Sequence, residues 1–177
     1  KPVNPETTRK REIPQGLWTK CPGCSEMIFD RELEENLNVC GHCTHHFPVS
    51  AWTRINSLTE PGSFQEIDES MTSVDTLEFT GTAAYAEKLE KHRDKTGLND
   101  AIITGSGNMG KHKVALGVMD FGFLGGSMGS VVGEKITRVI EMATENNLPA
   151  IIISSSGGAR MYEGMVSLMQ LAKTSAA

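Results

Sequence analysis

Residues 121–130, Phe-Gly-Phe-Leu-Gly-Gly-Ser-Met-Gly-Ser, and residues 150–160, Ala-Ile-Ile-Ile-Ser-Ser-Ser-Gly-Gly-Ala-Arg, decide how this chain folds. Each carries a glycine-rich loop between an apolar run and an amphipathic helix. After the first loop, Val132, Ile136, Val139, Ile140 and Ala143 trace one apolar helix face, which Asn146, Asn147 and Pro149 bring to an end. Ala150–Ile153 then reads as a buried strand, and Ser154–Arg160 is expected to open a second helix with apolar Met161, Met165, Leu168, Met169 and Ala172. Strand, glycine loop and helix, given twice, predict an α/β domain with a mostly parallel sheet and right-handed crossovers. Its loops should gather in one crevice at the strand C-termini.

Working outward, Ala101–Thr104, a turn through Asn108-Met-Gly-Lys111 and Val114–Phe121 read as a β-hairpin. Residues 82–96 read as a helix, with Tyr85 and Leu89 four apart, Lys91, Arg93 and Lys95 in its C-terminal half, and Gly97 as terminator. Its cations complement the helix dipole, and phosphate binding is the alternative use for them. Ser50 is placed to N-cap a shorter helix carrying Ala51, Ile55 and Leu58, stopped at Pro61-Gly62.

Glycines at a strand-to-helix turn let backbone N–H groups point outward together, where they favour an anion or a developing oxyanion. Tight loop-to-helix packing is the other reading. Gly125-Gly126-Ser127-Met128-Gly129 lacks the Lys-Ser/Thr of a P-loop, and no acidic residue stands where a dinucleotide fingerprint needs a ribose partner, so nucleotide binding is disfavoured. Ser154, Ser155 and Ser156 are not in a G-x-S-x-G context and no histidine follows them, which argues against a serine nucleophile.

All four cysteines fall in the pattern C-x2-C-x15-C-x2-C: Cys21, Cys24, Cys40 and Cys43. Two C-x-x-C turns, with Gly23 and Gly41 supplying backbone freedom, make the four-thiolate tetrahedron of a structural zinc ion. The intervening Met27, Ile28, Phe29, Leu33, Leu37 and Val39 are too few to fold unaided, so metal supplies the rest. Disulfides are the alternative, disfavoured without an extracellular signal. His42, His45 and His46 are not assigned as ligands.

The 177 residues suffice for a small and a larger domain, and 38% hydrophobic with 22% charged residues excludes wholesale disorder. No apolar run approaches the ~20 residues of a membrane span, and the polar, basic start is no secretory core. A cytoplasmic location without membrane insertion is the expectation. The net charge of −5 argues against bulk nucleic-acid binding, although Lys1, Arg9, Lys10, Arg11 and Lys20 crowd the start. The expected organisation is a basic tail over 1–14, a zinc ribbon over 15–50, a helical linker region over 51–100 and an α/β domain over 101–177. Both ends read as cut from something longer.

Several of these stretches together resemble one family, the β subunits of the carboxyltransferase component of bacterial and plastid acetyl-CoA carboxylase. They are Gly16-Leu-Trp-Thr-Lys-Cys-Pro-Gly-Cys24, the second cysteine pair, Thr96-Gly97 with Asp100-Ala101, residues 121–133, Ser156-Gly-Gly-Ala-Arg-Met161 and Ser167–Ala177. The resemblance covers nearly the whole chain. It implies a crotonase-like core of ββα repeats, incomplete here, preceded by the four-cysteine ribbon. It also implies carboxyl transfer from carboxybiotin, on a separate biotin carboxyl carrier protein, to acetyl-CoA, giving malonyl-CoA for fatty acid synthesis. The implied partners are a carboxyltransferase α subunit in an α2β2 heterotetramer and biotin carboxylase. Family members carry a further Gly-Gly loop beyond this stretch, so the piece alone is expected to be inactive.

On that reading Gly157 and Gly158 act through their backbone, and Gly125, Gly126, Ser156 and Arg160 are the candidate substrate contacts. Arg160 either faces a substrate anion or braces the loop through carbonyl groups. Met128, Met161, Met165 and Met169 are expected to serve the core for the most part, with a partner surface as the alternative. Two other functions remain open: a carboxyltransferase for another acyl-CoA, and a nucleic-acid-binding role for the zinc ribbon.

Overall fold

The computed structural model describes residues 17–177, so the expected basic tail over 1–14 lies outside the described residues. The chain divides into two compact units, one ending at Pro48 and the other starting at Val49.

In the first unit, β1 (Trp18–Lys20) pairs antiparallel with β2 (Met27–Phe29), and α1 (Asp30–Glu35) follows directly. The turns after Cys21 and Cys40 are built alike. Ser25 N–H donates to Cys21 O and Thr44 N–H to Cys40 O, both at 2.9 Å, while Cys21 N–H and Cys40 N–H donate to Glu26 O and His45 O, both at 2.8 Å. Ser25 and Thr44 take matching left-handed conformations, φ 65° and 58°. Apart from Cys21 and Cys40, only Ile28 and Leu33 are buried among the described residues of this unit, with Phe47 against them. Two aliphatic side chains cannot offset the ordering of some thirty residues, so the cysteine site must contribute to folding.

In the second unit, α2 (Ala51–Leu58) begins where Ser50 Oγ accepts a bond from Thr53 N–H at 3.2 Å. There follow β3 (Gln65–Ile67), α3 (Tyr85–Thr96), β4 (Ile102–Met109), β5 (His112–Met119), α4 (Ser130–Glu145), β6 (Ala150–Ile153) and α5 (Met165–Ala176). α3 stops as expected at Gly97, whose φ of 70° suits glycine and whose N–H returns to Arg93 O. Residues 51–100, read from the sequence as a linker region, contribute Ala51, Ile55, Tyr85 and Leu89 to the core that also holds Leu116 and Val132.

Three sequence expectations need correcting. The sheet runs β3-β4-β5-β6 with antiparallel pairs β3–β4 and β4–β5, and β5–β6 is its one parallel pair among the described residues. A tight turn between β4 and β5 can only return the chain antiparallel; a parallel partner needs the crossover that α4 supplies. The second helix does not open at Ser154–Arg160. A 3-10 turn over Met161–Glu163 intervenes, and α5 begins after Gly164, φ 55°. Finally, Met161, Met165 and Met169 are 81%, 68% and 62% exposed, and only Met128 packs partly buried against the core. α5 turns Ser167 and Gln170 inward instead.

Close backbone approach fixes β3 against β4. A Cβ on Gly105 would lie 2.2 Å from Gln65 O, a backbone atom that cannot move without breaking the pairing. Gly105→Ala is expected to destabilise the second unit by ~1–3 kcal/mol, as overpacking does. Chemical denaturation followed by tryptophan fluorescence reads this, and an unchanged midpoint would contradict the β3–β4 register.

Candidate functional site

The first unit offers a metal-type cluster. The four sulfur atoms of Cys21, Cys24, Cys40 and Cys43 lie within 4.8 Å of one another. None is in a disulfide. The Cys21–Cys43 and Cys24–Cys40 sulfurs are 3.6 and 3.7 Å apart. A tetrahedron with bonds of about 2.3 Å to zinc has edges of about 3.8 Å, so the donor set fits that ion. The His45 backbone N–H favours a Cys43 thiolate, but burial and the three neighbouring thiols outweigh it and push Cys43 up to about 12. No histidine belongs to the cluster.

In the second unit the two glycine loops meet directly. Leu124, Gly125 and Gly126 are successive left-handed residues, φ 47°, 65° and 65°. At Gly126 the conformation and the space agree, since a Cβ there would sit 1.9 Å from Ser155 O of the other loop. Gly157 N–H donates to Gly125 O at 2.9 Å, Met128 N–H to Gly158 O at 2.8 Å, and Arg160 N–H to Met128 O at 2.8 Å. Met128 and Ala159 thereby form a parallel bridge, extending the β5–β6 relationship past the strand ends.

A pocket of about 450 Å³ opens over this seam, with Gly125, Ser127, Gly157 and Ala159 in its wall and His92 and Tyr162 beside them. Of the residues singled out in the sequence, Gly125, Gly157 and Arg160 lie in the pocket wall, whereas Gly126, Ser156 and Gly158 stand outside its lining. Gly158 N–H donates to Ser156 Oγ at 3.0 Å. Both predicted backbone donors therefore already have internal acceptors. Gly125 N–H and Ala159 N–H have none among the described residues, and sequence reasoning missed Ala159.

Of the two uses considered for Arg160, the structure supports bracing. The side chain is 1% exposed. Nη2 donates to Asp100 Oδ1 at 2.7 Å and to Ser127 O at 2.9 Å; Nη1 reaches Ser73 Oγ at 3.0 Å, Tyr85 Oη at 3.1 Å and Asp100 Oδ2 at 3.3 Å; Nε reaches Ser127 Oγ at 3.2 Å. Burial opposes the guanidinium charge, but the hydrogen bond and charge of Asp100 more than compensate and hold its pKa above the ordinary value. Burial likewise raises Tyr85, keeping its hydroxyl protonated as a donor. Nothing in the spacing of Ser73, Tyr85 and Asp100 marks them as partners; only Asp100 lies in a stretch that the family resemblance singled out.

Removing one member of a buried pair strands the other. Asp100→Ala is expected to cost ~3–5 kcal/mol of stability, read from urea unfolding. A loss under ~1 kcal/mol would mean that Arg160 draws its compensation from other groups.

Residues 49–177 match the carboxyl transferase domain family, and residues 18–43 match the acetyl-CoA carboxylase zinc finger domain. The acetyl-coenzyme A carboxylase carboxyl transferase subunit beta of Methylacidiphilum infernorum is 56% identical over all 177 residues, and that of Rhodopirellula baltica is 50% identical over 98% of the chain. The chain spans 64% and 56% of the length of these two relatives. Among solved structures, a transcarboxylase 12S with methylmalonyl-coenzyme A bound is similar at 29% identity and TM-score 0.59, over 71% of this chain and 22% of that one. A Pseudomonas malonate decarboxylase hetero-dimer shares the fold at TM-score 0.52 and 24% identity, over 72% of this chain and 45% of that one. The chain thus belongs to the carboxyl transferase domain family, with an acetyl-CoA carboxylase-type zinc ribbon at its N-terminal side.

Proposed function

We propose that this chain is the β-type part of an acetyl-CoA carboxylase carboxyltransferase, moving a carboxyl group onto the methyl carbon of acetyl-CoA to give malonyl-CoA, the first committed step of fatty acid synthesis. The observation that carries the reading is the seam of two glycine loops over one pocket, in a chain half identical or better to proteins of that name. Acyl-CoA is the substrate class supported by the similar transcarboxylase, whose structure holds methylmalonyl-coenzyme A. Carboxybiotin, on its carrier protein, would supply the carboxyl group by breaking its N–carboxyl bond, and the ureido anion so left would take up the methyl proton.

The chemical difficulty is a carbanion next to a thioester, whose charge moves onto the thioester oxygen. Fixed backbone donors meet that charge without reorganising, and one such donor is worth roughly 3–4 kcal/mol in other enzymes. Gly125 N–H and Ala159 N–H, without an acceptor among the described residues, are the donors proposed for this charge, while Gly157 N–H and Gly158 N–H hold the loops through Gly125 O and Ser156 Oγ. Glycine at 157 and 158 lets substrate come close to the main chain. Arg160, in the pocket wall, holds the seam in register through its bonds to Ser127 Oγ and Ser127 O. The reading includes a cytoplasmic complex with a carboxyltransferase α subunit, biotin carboxyl carrier protein and biotin carboxylase. Exposed Met161, at the pocket, and exposed Met165 and Met169, on α5, supply apolar surface for such contacts. Among the described residues no helix is long and apolar enough to cross a membrane.

Cys21, Cys24, Cys40 and Cys43 hold one structural zinc ion in this proposal. Metal analysis should find one zinc per chain. Cys40→Ala should release it and unfold the ribbon while the second unit stays folded. Acidification should release it too, since each thiolate must stay deprotonated to bind. Protein purified without chelator and free of zinc would contradict the assignment.

The activity test is carboxylation of acetyl-CoA by the assembled complex, carrying Gly158 or its replacement. Gly158 has φ 118°, a conformation that a β-branched residue does not take without strain. Gly158→Val is expected to lower turnover at least about tenfold, above about 1.4 kcal/mol in the barrier, with zinc content and assembly normal. An assembled variant with unchanged kinetics would reduce the loop to packing.

A further inference from the structure

The N-terminus of α4 is not open to substrate, because the chain fills it with its own carboxylate. Ser130, the first residue of α4, directs its N–H to Glu163 Oε2 at 2.5 Å. The residue before it, Gly129, has no side chain with which to cap the helix. Glycine is needed there for a different reason: a Cβ would lie 2.6 Å from Glu163 Oε1. That same oxygen, Oε1, accepts the Tyr85 hydroxyl at 2.6 Å and lies 3.4 Å from Arg160 Nη1. Glu163 is 4% exposed. It sits at the end of the second glycine loop, Ser130 at the end of the first, and Tyr85 at the start of α3. One buried carboxylate therefore ties three elements that are far apart in sequence.

Resting on the carboxyltransferase reading above, we propose that Glu163 is a positioning residue: it replaces a substrate anion at the α4 N-terminus and fixes the spacing of the two glycine loops. A sixteen-residue helix presents a partial positive charge at its start. Satisfied internally, that charge draws no phosphate into the pocket, and Arg160, already paired with Asp100, draws none either. The pocket beside them is left to the uncharged end of an acyl-CoA, the thioester, where the backbone donors act. Glu163 touches no reacting atom. Its contribution passes through Ser130 and Arg160 to the loops that do.

The test uses the assembled complex with its carrier protein. Glu163→Ala is expected to lower kcat at least about tenfold while KM for acetyl-CoA stays within about twofold. Formate, entering the space left by the carboxylate, is expected to restore part of the loss and to raise the melting temperature of the variant but not of the wild type. Chloride at equal ionic strength should do neither. Tyr85→Phe removes one of the carboxylate's bonds while leaving the ring that stacks on Tyr162, and should lower kcat by a smaller factor in the same sense. Wild-type kcat in assembled Glu163→Ala, or a loss of activity that formate does not reverse and that tracks only the amount of folded enzyme, overturns the proposal. If Glu163→Ala fails to assemble, wild-type kcat in Tyr85→Phe overturns it. An inactive wild-type complex would count against the carboxyltransferase reading itself, and the formate-dependent melting shift would then decide the role of Glu163 alone.

Discussion

The buried pair of Arg160 and Asp100 is the interaction on which the second unit's site depends. A guanidinium in an apolar interior is tolerated only where every N–H finds an acceptor, and here two carboxylates, two hydroxyls, a phenol and a backbone carbonyl meet it from five segments of the chain. The cost of leaving any of these unpaired makes the arrangement all-or-none. Such an arrangement sets position more than it adds stability. It places Ser127, in the first glycine loop, at a fixed distance from Arg160, in the second, and the seam between the loops inherits that distance.

The sheet provides the complementary constraint. β5 and β6 run parallel, and their register carries on beyond the strand ends into the bridge between Met128 and Ala159. The loops are thus held from two sides: by strand pairing before them and by the Arg160 network below them. Left-handed backbone at Leu124, Gly125 and Gly126 folds the first loop back so that Gly125 O can receive Gly157 N–H. Glycine is demanded at 126 by a neighbouring carbonyl, not only by a torsion angle.

The first unit is organised on a different principle. Its turns repeat one hydrogen-bond pattern twice, and its side chains bury almost nothing beyond the cysteines themselves. Tertiary burial offsets chain entropy in the second unit, whereas the first buries too little apolar surface to do so and gathers its four cysteines instead.

What the sequence by itself determined are the features written within one short stretch: the cysteine spacing, the Ser50 cap, the 102–119 hairpin, the helix face from Val132 to Ala143 and the two glycine loops. Each follows from a local periodicity or from a residue type with a single steric use. Tertiary structure alone decided the rest. A parallel sheet seemed to follow from two strand-loop-helix units, but the hairpin and β3 make most of the pairing antiparallel. The methionines after Gly158 have the spacing of a buried helix face, yet their helix starts later and presents them outward. Arg160 could be seen as a functional cation, but not that its acceptors stand 60 residues away at Asp100 and 75 away at Tyr85. A buried charge chooses partners by the geometry of the folded interior, and that geometry exists only once all the segments are packed.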